Sequence, residues 1–176
     1  MIALRSDRLV LDAPRDSDIA AVFDACQDPE IRRWIPLPDP YTIESAEFFV
    51  RSYCPHGLAS DAFTVWAIRT GDDLPLLGVI EVRKDEAPGS ASIGCWLARG
   101  ARGSGVMHEG LGLVISNVLT GERPGLDRLR WETLADNGVS RRVAESVGFA
   151  FDGEEHEVDF RGERRSAVVG TLTSAL

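Results

Sequence analysis

The sequence predicts a single α/β domain over residues 1–176, with a mixed, mostly antiparallel central sheet and helices on both faces. Three observations predict it. Strand patterns between residues 63 and 97 follow one another as a meander, and the remainder runs strand–helix–strand–helix–strand, an order that builds one sheet covered by helices. A chain of 176 residues is long enough for one substantial core. No internal repeat, low-complexity run or linker divides it.

The elements follow in order. Arg8-Leu9-Val10-Leu11 reads as the first strand, broken by Pro14 and the polar run Arg15–Asp18. Asp16 or Ser17 is placed to cap a helix carrying Ile19, Val22, Phe23 and Cys26 at helical spacing. Ile31, Trp34 and Ile35 begin a short turn, and Pro36, Pro38 and Pro40 make a loop. Thr42 caps a helix to Tyr53, with Ala46, Phe49, Val50 and Tyr53 on one face. Phe63–Ile68, Leu76–Val82 and Ala91–Leu97 are strands, the last two joined by a polar Pro88-Gly89 hairpin loop. Met107, Leu111, Val114, Ile115 and Val118 line one face of a helix whose Gly110 and Gly112 permit close packing on the sheet. Leu126–Leu134 is a strand, Asn137–Val147 an amphipathic helix stopped by Gly148, Phe149–Phe151 starts a strand, and Ala167–Leu172 is the last.

Composition bounds the function. A net charge of −9 argues against nucleic acid and anionic membranes as partners and suits a cationic substrate such as an amine. No apolar run approaches the ~20 residues of a membrane span, and Met1–Arg8 lacks the apolar core of a signal peptide, so a cytoplasmic address is expected. Cys26, Cys54 and Cys95 are odd in number, widely spaced and without a Cys-x-x-Cys pair, and His56, His108 and His156 have no metal-type spacing. Neither a disulfide framework nor a metal site is expected. Cys95, in an apolar strand, reads as a small buried residue.

The segment Trp96-Leu97-Ala98-Arg99-Gly100-Ala101-Arg102-Gly103-Ser104-Gly105-Val106-Met107 carries the chemistry. A strand ends, a glycine turn follows, and a helix starts with unpartnered N–H groups and partial positive charge. Glycines admit a phosphate to such groups. The turn lacks the Gly-Lys-Ser/Thr ending of a P-loop and the third glycine of a dinucleotide fingerprint. By itself it is either a pyrophosphate cradle or a plain turn before a helix.

A second segment resolves this. Asn137-Gly138-Val139-Ser140-Arg141-Arg142-Val143-Ala144-Glu145-Ser146-Val147-Gly148-Phe149 resembles the Asn-x-x-Ser-x-Arg-Val-x-x-x-x-Gly-Phe signature of the GNAT superfamily of N-acetyltransferases, in its RimJ/RimL-like branch. Arg8–Leu11, Asp18 and Asp28-Pro29-Glu30-Ile31 resemble that branch's opening, so the likeness covers essentially the whole chain. It implies an acetyl-CoA-dependent acetyltransferase acting on a primary amine. Arg102, Gly103, Ser104, Gly105, Val106 and Met107 then correspond to the loop that binds the acetyl-CoA pyrophosphate. Met107 stands where the family has Gly or Ala and is expected to face the core. Asp12 stands where the branch usually has arginine.

Acetyl transfer makes three demands: the amine loses a proton, the oxyanion needs a donor, and the thiolate needs a proton. Acid–base assistance is worth ~10²–10⁴-fold and one oxyanion donor ~10²–10³-fold. Glu81, late in its strand, is a candidate base or else a solvent-facing strand residue. Glu109 is commonly acidic in the branch, or is a first-turn residue favoured by the dipole; Glu132 is a third candidate. The resemblance implies that backbone N–H groups near Trp96, Leu97 and Ala98 serve the oxyanion. Relatives use a tyrosine at the position of Ala144, which this chain lacks; the branch places a serine at Ser140, near the sulfur. Ser140 is alternatively a serine bonded to its own backbone. Asn137 caps the helix or bonds the pantetheine, and Arg102 and Arg141 are candidates for CoA phosphates. Trp34, Tyr41 and Phe49, with acidic Asp39, Glu44 and Glu47, either build the acceptor groove together with the hairpin around Phe160–Arg165 or form a packed core helix with a solvated face. The acceptor is a peptide N-terminus or a small-molecule amine. The alternative is an acyl-CoA-binding sensor or partner module without turnover. Relatives occur as monomers and homodimers.

Overall fold

The computed structural model describes residues 1–120 and 125–174. Eight strands form one sheet: β1 (Leu4–Arg5), β2 (Val10–Asp12), β3 (Phe63–Arg69), β4 (Gly78–Lys84), β5 (Ser90–Leu97), β6 (Arg128–Leu134), β7 (Ala150–Phe160) and β8 (Glu163–Thr173). Their spatial order is β1-β2-β3-β4-β5-β6-β8-β7. Every neighbouring pair is antiparallel except β5–β6. Among the described residues six α-helices accompany them: α1 (Ile19–Cys26), α2 (Pro29–Trp34), α3 (Ile43–Phe48), α4 (Cys54–Ala59), α5 (Val106–Thr120) and α6 (Gly138–Ser146).

Strand alternation sorts the apolar residues into two layers. On one face Trp66, Ile68, Ile80, Val82 and Leu129 pack beneath Met107, Leu111, Val114 and Val118 of α5, with Ala144 of α6 and Phe149 in the same cluster. On the other, Val65, Ala67 and Val79 lie beneath α1, α3, the π turn at Phe49–Tyr53 and α4 through Val22, Cys26, Ala46, Val50 and Cys54. Met107 is buried, as its expected core role requires. Gly110 does approach the sheet, since a Cβ there would lie 3.3 Å from Ile80 Cδ1; Gly112 does not, with nothing within 4 Å of such an atom.

Several boundaries differ from the sequence reading. The segment Arg8–Leu11 holds the second strand, not the first: Leu4–Arg5 pairs with Val10–Leu11 across a turn closed by Ser6 N–H on Leu9 O at 3.0 Å. Neither Asp16 nor Ser17 caps α1. A 3₁₀ turn at Asp16–Asp18 precedes it, and Asp18 instead receives Arg69 Nη1 and Nη2, each at 2.5 Å, while Asp12 receives Arg69 Nε at 2.8 Å. A buried guanidinium needs such partners, which explains an aspartate at position 12. Thr42 caps α3 as expected, but the helix does not stop at Tyr53. It widens into a π turn over Phe49–Tyr53 and continues as α4 through Pro55, whose missing N–H makes regular α winding impossible there. β8 starts at Glu163, because Arg161 and Gly162, both at positive φ, make a tight turn that keeps β7 and β8 paired to their tips.

Candidate active site

The parallel pair β5–β6 is joined only at Ser90–Arg128, Ala91–Leu129 and Ser92–Arg130. Both strands continue, β5 to Leu97 and β6 to Leu134, so beyond Ser92 they part. The opening runs along β5 toward the glycine turn. Ala98 N–H donates to Leu77 O at 2.8 Å, and Val79 is paired with Trp96. Bonded pairs alternate in an antiparallel ladder. The main-chain groups of Trp96 and Ala98 are therefore committed to β4, whereas those of Cys95 and Leu97 face the opening. Of the three residues expected to serve an oxyanion, only Leu97 presents its N–H there. Its carbonyl is covered by Arg102 Nε and Nη2 at 3.2 and 3.0 Å.

The glycine turn lies at the end of this opening. Gly103 and Gly105 have φ of +74° and +79°, with Ser104 between them donating its hydroxyl to Ala101 O at 2.7 Å. Left-handed residues of this kind cost a side-chain-bearing residue ~1–2 kcal/mol, so glycine belongs at both. The first bond of α5 runs from Glu109 N–H to Gly105 O; among the described residues, no backbone N–H from Gly103 to His108 donates to a carbonyl. A Cβ on Gly103 would meet nothing within 4 Å, so the space over the turn is open. Free donors, a helix N-terminus and open space are what a pyrophosphate requires.

The arginines expected at phosphates are otherwise engaged. Besides Leu97 O, Arg102 Nη2 lies 2.7 Å from Asp28 Oδ2, with Arg99 at 3.5 Å from Asp28 Oδ1. Asp28 is the α2 N-cap and accepts from Glu30 N–H at 3.1 Å. That bond, then the two arginines, holds its carboxyl below the usual range. Arg102 is thus a clasp between the turn and α2. Arg141 Nε donates to Glu145 at 2.9 Å along α6 and stacks over Phe151.

At α6, Asn137 Oδ1 caps the helix by accepting from Ser140 N–H at 3.1 Å. Ser140 Oγ accepts from Trp131 Nε1–H at 2.9 Å. Ala144, where relatives carry a tyrosine, is fully buried in the core cluster.

On the opposite sheet face, Glu81 sits beside Gly94, and one strand further Glu132 lies on the same face. Gly94 is exposed with nothing within 4 Å of a Cβ, leaving a slot in this row. Both Glu81 oxygens have partners: Tyr53 Oη–H donates to Oε2 at 2.8 Å and Arg83 Nε to Oε1 at 3.1 Å, while Arg83 Nη2 also reaches Tyr53 Oη at 2.6 Å. Burial, then the Glu81 charge, pushes the Tyr53 hydroxyl up to about 12, keeping it a neutral donor. Phe49 stacks on Tyr53 at 5.7 Å, and Phe49, Tyr53 and Trp96 all pack against the buried cluster of Cys54, Phe63, Val65 and Val79 on this face. Glu132 faces His156 Nε2 at 3.2 Å.

Three expected site residues lie elsewhere. Glu109 is on the α5 face, bound to Ser6 Oγ and to Arg8 Nε at 2.8 Å, and these bonds hold its carboxyl below the ordinary value. It latches the first strands to α5, on the sheet face away from Glu81 and Gly94. Tyr41 is buried under α1, its hydroxyl against Cys26, so it is a core residue rather than a groove wall. Trp34 lies on the outside of α2, under Arg33 and near Glu30. Sequence reasoning missed Tyr53 and Arg83 as partners of Glu81, Trp131 as a partner of Ser140, and the Asp28–Arg102 clasp. Asp28-Pro29-Glu30, an Asp-capped helix start, was the one available signal among these.

The family model described as an acetyltransferase (GNAT) domain matches residues 8–150. The chain belongs to the GNAT acetyltransferase family. Members move an acetyl group from acetyl-CoA to an amine, and acetyl-CoA is the cosubstrate of this enzyme. No curated protein matches it in sequence. Solved structures share its fold. RimL, a ribosomal alpha-N-protein acetyltransferase in complex with coenzyme A, superposes at a TM-score of 0.83 and 18% identity, covering 98% of each chain. Mycobacterium smegmatis RimJ with a CoA disulfide gives 0.81 and 21%, covering 98% of this chain and 86% of that one. The microcin C7 self-immunity acetyltransferase MccE, with acetyl-CoA and AMP, gives 0.81 and 18%, covering 96% and 93%.

Proposed function

We propose that this acetyltransferase binds acetyl-CoA along the parted β5–β6 seam and acetylates a primary amine by direct attack in a ternary complex. The observation that carries the reading is the seam: one unpaired edge of β5 leads from the glycine turn to Leu97 and on to the slot at Gly94. In this reading the N–H groups of residues 103–107 hold the pyrophosphate, and Leu97 N–H receives the thioester oxygen as it becomes an oxyanion. The amine enters over Gly94 between Phe49, Tyr53 and Trp96. Its nitrogen forms a bond to the acetyl carbon, its proton passes to Glu81 directly or through one water, and the C–S bond breaks with the electron pair on sulfur. Ser140 hydrogen-bonds that thiolate, which then takes its proton through solvent. An alcohol is too weak an acid to do more.

The acceptor classes are a peptide N-terminus and a small-molecule amine. RimL and RimJ support the first and MccE the second as neighbours in fold. The deciding experiment is thiol release from acetyl-CoA across peptides, polyamines and aminoglycosides, with Ser140→Ala alongside. Turnover on one class, reduced ~10–100-fold in the variant at unchanged acetyl-CoA affinity, is expected from loss of a hydrogen bond to a charged group. Tight binding of CoA with no release on any amine would replace this reading with an acyl-CoA sensor.

A further inference from the structure

Trp131 is 3% exposed and meets Phe149 edge-on with ring centres 5.5 Å apart. Its one polar atom, Nε1, has Ser140 Oγ as partner at 2.9 Å. An indole N–H can only donate, so the serine oxygen accepts and its own hydrogen is directed away from the indole. First-turn and mid-helix serines commonly spend that hydrogen on a nearby backbone carbonyl. In the same helix Ser146 does so, donating to Val143 O at 2.7 Å, and Ser60 does so on His56 O at 2.8 Å. Ser140 makes no such bond among the described residues. Its N–H is already held by Asn137 Oδ1, which fixes the residue's main chain as well.

We propose that Trp131 is a positioning residue: its indole N–H occupies the Ser140 oxygen and keeps the serine hydrogen free to donate to the departing CoA thiolate. The proposal rests on the assignment of Ser140 above. The indole transfers no proton. Accepting one hydrogen bond strengthens the next one donated along the same chain, so the indole also makes Ser140 the better donor. Nine residues separate the two side chains, which meet because α6 folds back under β6 and turns its first turn to the indole.

Trp131→Phe keeps a ring in the cavity and removes the donor. Compared with wild type, kcat is expected to fall ~3–10-fold, the range of one neutral hydrogen bond, with the acetyl-CoA KM within about twofold. In a Ser140→Ala background the same change is expected to have no further effect on kcat, because the group through which Trp131 acts is gone. An equal loss in both backgrounds would assign Trp131 a packing role and overturn the proposal. Should Trp131→Phe lack a cooperative melt, the wild type and Ser140→Ala decide the matter by NMR. The Trp131 indole N–H resonance, assigned through its contacts to Phe149, is expected to shift and exchange faster in Ser140→Ala; an unmoved resonance refutes the bond. If Ser140→Ala alone keeps full kcat, the role of Ser140 fails. If that variant is slow and Trp131→Phe is not, only the role of Trp131 fails.

Discussion

Removing the Asp28 carboxylate tests the link between the glycine turn and α2. Asp28 has two roles that two substitutions separate. As the α2 N-cap it accepts from Glu30 N–H, and asparagine caps as well as aspartate, whereas alanine loses ~1 kcal/mol. As an ion-pair partner it meets Arg102, whose side chain is 35% exposed, and Arg99, which is 76% exposed. Such cations rehydrate when the partner is lost, so the pair is worth at most ~1 kcal/mol. Asp28→Asn is therefore expected to lose up to ~1 kcal/mol and Asp28→Ala ~2 kcal/mol. For a chain of this size each kcal/mol lowers Tm by ~2–4 °C, giving ~4–8 °C for alanine. The pH dependence has a defined sign. The folded carboxyl lies below its unfolded value, so its contribution is complete above the unfolded pKa of ~3.9 and is lost as pH falls through the folded one. Urea denaturation of wild type and both variants from pH 7 to about pH 2.5 reads this directly. The gap between wild type and Asp28→Asn should be constant above about pH 5 and narrow below about pH 4. A gap independent of pH, or alanine no worse than asparagine, would refute this account of the clasp.

Three further outcomes are expected. Gly94→Leu fills the slot beside Glu81 without a backbone clash, since a Cβ there has nothing within 4 Å; the acceptor KM should rise at least tenfold while Tm and acetyl-CoA affinity hold, and equal KM values would remove the slot from the acceptor path. Glu109→Gln weakens the bonds to Ser6 and Arg8 but lies on the far face from Glu81, so kcat should stay within about twofold, by steady-state kinetics; a collapse of kcat would restore Glu109 to the chemistry. Burial pushes the thiols of Cys26 and Cys54 to about 11 and 12, so a thiolate-specific reagent at pH 8 should label these two only as fast as the protein unfolds, unlike the partly exposed Cys95; rapid labelling of either without denaturant would contradict that burial.

Much of this molecule is legible along the chain. The α5 stripe, the Thr42 cap, the β4–β5 hairpin, the Asn137 cap and the glycine turn are all local patterns, and each lies where its residues predict. The limits of the elements are less legible where a distant partner sets them. Leu4–Arg5 is a strand only because Val10–Leu11 returns beside it, and the helix from Ile43 runs past Tyr53 because a π turn accommodates Pro55. The candidate site divides the same way. Gly103 and Gly105 announce a turn before a helix by composition, whereas the side chains of Arg102, Glu109 and Tyr41 look available in sequence and are committed in space to Asp28, Arg8 and the α1 core.

The sequence by itself therefore determined the family resemblance, the glycine turn and the helix bearing Ser140, because each rests on residues within about a dozen positions of one another. Only the tertiary structure decided which groups face the seam. Leu97 presents its N–H there because ladder alternation commits its neighbours to β4, and Glu81 stands beside an open slot because register sets it opposite Gly94. Trp131 holds Ser140 because α6 packs beneath β6. Those relations depend on pairing between strands, and a linear pattern carries no record of register.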